Sequence, residues 1–197
     1  MSTWWHQARL EAVLREVQAR GAARLLDLGC GSGDLMLRLL DLPGVARIVG
    51  LDLDRGALER CRARLSRHPQ GARAEAREAS MTAPHPDLAG FDCACLVETI
   101  EHLPPAQLPA LEQAVFGVMR PEVVIVTTPN AEFNDLLGVP RTRFRRSDHR
   151  FEWTRAQFRD WAGGVVDRTG YTVRISDVAG AHPDLGGASQ MAVFSKG

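Results

Sequence analysis

The chain has 197 residues, 45% of them hydrophobic, which is enough for one domain with a full-sized core. Its 24 basic and 24 acidic residues cancel, so no whole-molecule charge draws it to nucleic acid or to a membrane, and any basic surface has to be local. No apolar run reaches the roughly 20 residues that span a bilayer. Cys30, Cys61, Cys93 and Cys95 make no disulfide framework in a chain this size, which favours a cytoplasmic protein.

The opening "MSTWWHQARLEAVLREVQARG" reads as an amphipathic helix over 4–20 with charges spread through it, not as a signal peptide. "ARLLDLGCG" is a strand that ends in glycines, and "DLMLRLLDL" a helix. "ARIVGLDLD" and "RGALERCRARLSR" repeat that strand–helix unit. "ARAEAREAS" is a weakly apolar third strand, expected near an edge, and "FDCACLV" a fourth. Its Cys93 and Cys95 share one face as small buried residues. "PPAQLPALEQAVFGVM" is a helix with proline at its start, and "EVVIVTTPN" a fifth strand. "TRAQFRDWAGGVVDRTG" is a helix with capping-box spacing at Thr154 and Gln157, and "YTVRISDV" and "SQMAVFSK" form a closing antiparallel hairpin. Strands alternating with helices at this spacing predict one α/β domain over 1–197, with a doubly wound, mostly parallel seven-stranded sheet and an antiparallel edge strand. The long charged and aromatic segment 130–153 stands out as an ordered functional insertion.

In "LLDLGCGSGD", Gly29, Gly31 and Gly33 follow the first strand directly, where a tight turn lets a ligand lie on bare backbone. Asp34 stands where the dinucleotide fingerprint needs its third glycine, and Asp27 precedes the loop. Acids there would repel a pyrophosphate and suit a sulfonium cofactor that carries an amino acid group. Asp52, read as in register with Asp27 on the neighbouring strand end, can accept both ribose hydroxyls of an adenosine, while Asp54 caps the next helix. The pattern resembles that of class I S-adenosylmethionine-dependent methyltransferases, with Rossmann-like topology. Ser80 and Met81, after the third strand, are placed by position at the adenine.

"LVETIEHLPP" brings Glu98, Glu101 and His102 to the end of the fourth strand. In a helical turn, positions i, i+3 and i+4 share a face, and Pro104 stops the turn from running on. Two clustered carboxylates repel unless a cation sits between them, so this set suits Mg²⁺, Mn²⁺ or Co²⁺. His149, in the insertion, is the candidate fourth ligand. His6, His68, His85 and His182 have no such company and read as surface or loop residues. "RTRFRR" offers Arg141, Arg143, Arg145 and Arg146 around Phe144, either as an RNA grip or as a solvated run in a chain whose sole lysine is Lys196.

"VETIEHL", "RPEVVIVTTPNAEFN" and "DHRFEWTRAQF" together resemble the small-RNA 2′-O-methyltransferase family of the Hua-enhancer type, over about 23–161. The resemblance implies methyl transfer from S-adenosylmethionine to the 2′-hydroxyl of an RNA's 3′-terminal nucleotide, in RNA silencing or repair. It implies Glu98, Glu101, His102 and His149 as metal ligands and catalytic residues, with the metal bound to the 2′ and 3′ hydroxyls and His102 the candidate proton acceptor. It also implies contact of the terminal nucleotide with Thr128, Pro129 and Asn130, near Arg145 and Arg146. Family members elsewhere carry added RNA-binding domains, or an N-terminal half that works with an RNA end-repair and ligation partner. This chain reads as a domain cut from such a protein or as a free-standing minimal version, which its opening residues favour. Two other readings stay open: a metal-dependent methyltransferase of small diols such as catechols, and a non-catalytic subunit that binds RNA ends.

Overall fold

A computed structural model describes residues 4–197; Met1–Thr3, with which the opening helix stretch begins, lie outside the described residues. Helix α1 (Trp4–Ala19) precedes the alternating units β1 (Arg24–Leu28), α2 (Asp34–Leu40), β2 (Arg47–Asp52), α3 (Arg55–Leu65) and β3 (Ala74–Glu78). Strand β4 (Cys93–Val97), helix α4 (Leu108–Glu112), strand β5 (Val123–Pro129), helix α5 (Arg155–Thr169) and strands β6 (Tyr171–Val178) and β7 (Ser189–Lys196) complete the chain.

The seven strands form one sheet in the order β3-β2-β1-β4-β5-β7-β6. Strands β1, β2, β4 and β5 are near-continuous apolar runs because both faces are covered, as parallel strands require. Leu25 packs into the core under α1, α2 and α3, and its neighbour Leu26 into the core under α4 and α5. The weakly apolar β3 is an edge, as its composition predicts. The last two strands form the expected antiparallel pair, but β7 is antiparallel to both neighbours and lies one strand in from the edge, leaving β6 outermost. Their sequences carry the reason: "SQMAVF" is buried throughout, whereas "YTVRISDV" alternates with exposed positions. The four cysteines are buried and free.

The helix expected over 104–119 is broken into a 3-10 turn (Pro105–Gln107), α4, and a wide π turn (Gln113–Met119). Both expected caps form: Asp54 accepts from the Ala57 backbone N–H, and Thr154 and Gln157 cap α5 reciprocally.

The chain crosses the sheet from β3 to β4, so the crevice at the carboxyl ends of β1 and β4 is the switch point where open α/β sheets place ligands. The segment 130–153 rises beside it. Its ends are tied, the Ala131 N–H donating to the Trp153 carbonyl at 3.0 Å, and its exit is anchored by Phe151 stacked on Trp153 at 4.2 Å. Among the described residues no helix is long and apolar enough to cross a membrane.

Candidate active site

Two adjoining cavities of about 550 and 500 Å³ open at the switch point and share Gly29, Gly31, Ala57, Glu98, His102 and Asp148 in their walls. The second is lined by Asp52, Leu53, Ser80 and Met81, and the first by Asp27, His6, Arg9, Glu101, His149, Pro129, Arg145 and Arg146. The residues expected at the cofactor therefore divide between the side that holds Asp52, Ser80 and Met81 and the side that holds Asp27.

The glycine turn does not present all three of its glycines to the crevice. Gly29 and Gly31 border both cavities, but Gly33, expected at the cofactor, is buried and lines neither. It is the N-cap of α2 at φ +83, and a Cβ there would lie 2.6 Å from Cys61 Sγ of α3. Gly33 is thus required by the left-handed turn and by close packing of α2 on α3. Gly29 sits at φ +85, and a Cβ there would lie 2.3 Å from the Thr99 methyl. Gly29→Ala is therefore expected to lower the melting temperature by several degrees, corresponding to about 2 kcal/mol or more, as read by thermal denaturation.

Asp27 pairs in register with Gly50, not with Asp52, which ends its strand two residues farther on. Residues two apart share a face, so both carboxylates still point into the crevice, staggered rather than level. Asp52 is held by two backbone donors, Gly31 N–H at 2.7 Å and Asp54 N–H at 2.8 Å. Each oxygen keeps a lone pair for a ribose hydroxyl. Asp27 is 3% exposed and one of its oxygens has no partner. Burial, with Cys61, Asp52 and Asp34 adding to it, pushes its carboxyl up to about 8. An orphaned carboxyl in a ligand cavity suits a cation supplied from outside, such as an amino acid ammonium.

At the end of β4 the chain departs from the expected helical turn. Glu98 has φ +52, a left-handed conformation uncommon for a residue with a Cβ, and is pinned there by its N–H, which donates to the Thr127 carbonyl (3.0 Å) and hydroxyl (3.1 Å) of β5. The 3-10 turn begins only at Ile100. Glu98 is thus outside it, and its carboxylate faces Arg9 of α1, Nε to Oε2 3.6 Å. Glu101 and His102 lie within the turn, and His149 joins them from the insertion. One ligand-capable atom from each of these three lies within 4.8 Å of the others. The expected fourth member, Glu98, lines the same cavity but stands outside this trio.

The Glu101 carboxylate is fully buried; Oε2 accepts from the Thr128 hydroxyl at 3.1 Å and Oε1 has no partner. Burial and the Glu98 charge push Glu101 well above the usual carboxylate range. Burial also holds His102 below the usual imidazole range, against the opposing pull of Asp148, and so favours the neutral form that can ligate. The Arg150 N–H donates to the Glu101 carbonyl at 2.7 Å, which docks the insertion onto the 3-10 turn. Two neutral-capable imidazoles and a buried carboxylate with an orphaned oxygen fit a divalent cation; their donor types suit Mn²⁺ or Co²⁺ at least as well as Mg²⁺.

The residues expected to touch RNA are placed differently. Thr128 is buried and its hydroxyl is committed to Glu101. Asn130 is buried, donating to the Leu185 and Gly187 carbonyls and accepting from the Glu132 N–H. Arg145 turns inward, donating to the Asn130 and Ala188 carbonyls and to Asn134 Oδ1, so it frames the insertion although it borders the cavity. Pro129 lines the cavity, and Arg146 lies exposed at its rim, paired with Asp148. Farther out, Arg141 pairs with Asp135 and Phe144 is 45% exposed. His6, a surface residue on sequence grounds, lines the cavity from α1 and lies 3.5 Å from Asp34. Arg9 is a site residue that the sequence pattern does not single out. Its Nε is buried without a hydrogen bond, a cation facing the charged side of the cavity.

A family described as a methyltransferase domain matches residues 25–122. The methyltransferase domain of bacterial CtHen1-CN, known from its crystal structure, is 35% identical with a TM-score of 0.87, over 97% of this chain and 99% of that one. The small RNA 2′-O-methyltransferase of Xenopus tropicalis is 36% identical over 202 residues, covering 97% of this chain and 54% of that protein. A chain of the Pnkp1/Rnl/Hen1 RNA repair complex, 20% identical with a TM-score of 0.76 over 98% of this chain and 42% of that one, shares the fold. The sheet order and the acid-flanked glycine turn at its switch point define a class I S-adenosylmethionine-dependent methyltransferase domain. Within that class, the chain belongs to the small-RNA 2′-O-methyltransferase, or Hen1, family. It spans about half the length of the vertebrate relatives it matches.

Proposed function

We propose that this chain transfers the methyl group of S-adenosylmethionine to the 2′-hydroxyl of the 3′-terminal nucleotide of an RNA, with a divalent cation held by Glu101, His102 and His149. The observation that supports this best is the meeting of those three side chains, from segments far apart in sequence, on the wall shared with the glycine turn. Asp27 and Arg9 are the groups for the cofactor's ammonium and carboxylate, Asp52 for its ribose, and Leu53, Ser80 and Met81 for its adenine. The cofactor supplies an electrophilic sulfonium methyl. A cation in the trio would supply positive charge that makes a ribose hydroxyl easier to deprotonate.

The chain's own residues do the remaining work. Glu101 and the two imidazoles orient a vicinal diol, which only a terminal nucleotide with free 2′ and 3′ hydroxyls can offer. His102, the candidate proton acceptor, is half-buried and held below the usual imidazole range, and it takes that role only at the expense of its bond to the cation. Glu98, in the same cavity and with its charge felt by Glu101, would complete the ligand set by leaving Arg9. Arg146 at the rim, with Phe144 farther out, is the local group for backbone phosphate and base. A partner protein for RNA end repair and ligation belongs to the same reading and rests on family membership alone.

The test is incorporation of tritiated methyl into a short RNA. Transfer is expected to fall at least tenfold in EDTA, to return with Mn²⁺, and to fall comparably on an RNA ending in a 3′-deoxynucleotide. Undiminished transfer in EDTA would remove the cation. Preference for catechol over RNA would favour the small-diol reading instead, and RNA binding without cofactor binding would favour the non-catalytic one.

A further inference from the structure

His149 is buried, and its Nδ1 lies 2.6 Å from Glu152 Oε1. The Glu152 side chain is itself only 1% exposed. Its Oε1 also accepts from the Arg145 N–H at 2.7 Å and its Oε2 from Asn134 Nδ2 at 2.7 Å. Three donors thus fix one carboxylate against one imidazole. With Nδ1 engaged as the donor to Glu152, His149 is left with the bare lone pair of Nε2 as its free ligand atom beside Glu101 and His102. The second imidazole has a similar arrangement. His102 Nδ1 lies 3.4 Å from Asp148 Oδ2, and Asp148 is gripped by Arg146 through Nε at 3.0 Å and a terminal nitrogen at 3.1 Å. The two rings meet edge to face with centroids 4.9 Å apart.

We infer that Glu152 and Asp148 are positioning residues for the cation site, Glu152 orienting His149 and Asp148 orienting His102, so that both imidazoles offer Nε2 to the same point. The five residues "DHRFE", 148–152, then supply one ligand and the outer carboxylates of both histidines. An outer carboxylate fixes the tautomer and raises ligand basicity, and losing it weakens metal binding by roughly 10–100-fold. The exposed Asp148 contributes less than the buried Glu152. This assigns Arg145 and Arg146 a second task, since Arg145 braces Glu152 through its backbone and Arg146 braces Asp148. The inference rests on the cation reading given above.

Glu152→Gln keeps the shape and removes the charge. Its amide nitrogen would face either Asn134 Nδ2 or the His149 and Arg145 donors, and the Asn134 oxygen is already taken by Arg145. The experiment titrates Mn²⁺ alone into the full chain and follows free Mn²⁺ by electron paramagnetic resonance, with S-adenosylhomocysteine binding and thermal melting as controls. The expected result is roughly 10–100-fold weaker Mn²⁺ binding in Glu152→Gln, with unchanged cofactor-product binding in that variant, a smaller loss of Mn²⁺ binding in Asp148→Asn, and partial recovery in Glu152→Asp. Mn²⁺ binding of wild-type strength in a folded Glu152→Gln variant overturns the inference and leaves the cation reading standing. Failure of the wild type to bind Mn²⁺ overturns both. Should Glu152→Gln not fold, long-range ¹H–¹⁵N correlation spectra of the metal-free wild type decide the matter: Nδ1–H tautomers at His149 and His102 support the inference, and Nε2–H tautomers overturn it.

Discussion

Glu101→Gln is expected to lower methyl transfer by roughly 10²–10³-fold while leaving the metal-free protein as stable as the wild type, or more so. The two halves have different causes. The substituted amide can still accept the Thr128 hydroxyl bond at the position of Oε2, so the turn 100–102 keeps its tie to β5. What disappears is a buried, partnerless carboxylate oxygen beside another acid, an arrangement that costs free energy until a cation arrives. With it goes the one anionic ligand of the trio, which for a divalent ion removes on the order of 3–4 kcal/mol of charge stabilisation, or two to three decades in rate. Glu98→Gln is the informative partner. Its carboxylate faces Arg9 and stands outside the trio, so a loss as large as that of Glu101→Gln would show that Glu98 swings onto the ion during turnover. Methyl-transfer rates and melting temperatures of the two variants side by side check the prediction. A Glu101→Gln variant that is fully active would leave the buried trio without a catalytic part.

The elements of this site that were legible in the sequence are those set by short-range pattern. The glycine turn after an apolar strand, the acids at 27 and 52, the capping box at Thr154 and the edge character of β3 all follow from a few neighbouring residues. Within that turn the separate tasks of the glycines were not legible, because Gly33 is explained by Cys61, which lies on a later helix. Nor was the strand register, because a two-residue stagger between β1 and β2 leaves both acids on the same face and the hydrophobic pattern unchanged. The left-handed turn at Glu98 owes its shape to Thr127 of the adjacent strand and not to its own side chain. Thr128, Asn130 and Arg145 look like ligand-facing groups at a strand end and in a loop. Their polar atoms are consumed instead in tying β5 to the turn 100–102 and the insertion to the residues just before β7, a need that emerges only when the partners there are traced. Arg9 was hidden for another reason. It reads as one more charge on an amphipathic helix until α1 is laid across the cavity. His149 could be found through its motif, but Glu152, beside the aromatic anchor Phe151–Trp153, gains a role only from the fold that turns it inward.

Cofactor affinity is expected to weaken as the pH falls below about 8, and Asp27→Asn to abolish that dependence. With its carboxyl pushed up to about 8, Asp27 in the empty pocket is mostly protonated at pH 6–7. Docking an ammonium beside it favours the carboxylate, so binding releases a proton. The affinity for S-adenosylhomocysteine therefore drops by up to about tenfold for each pH unit below 8. Above that value the ligand's own amino group begins to lose its proton, which confines the window to the acidic side. His6, which lines the same cavity, is held below the ordinary imidazole range, so its titration falls lower and does not mimic the effect. In Asp27→Asn the charge-assisted bond is lost, and binding at pH 8 should weaken by roughly 10–100-fold and then stay flat toward pH 6. The same group acts on stability with the opposite requirement. Its folded-state value lies above the unfolded value of about 3.9, so the stability it contributes is complete below pH 4 and is lost as the pH rises toward 8. Cofactor-free Asp27→Asn should accordingly melt higher than the wild type at neutral pH, with the gap closing near pH 4, even though it binds the cofactor less well. Calorimetric titration in buffers of differing ionisation enthalpy reads the proton release directly, and melting curves from pH 4 to 8 read the stability. A wild-type affinity that ignores pH, or a variant that keeps the slope, would move the ammonium site away from Asp27 to another acid in the crevice, with Asp34 the next to examine.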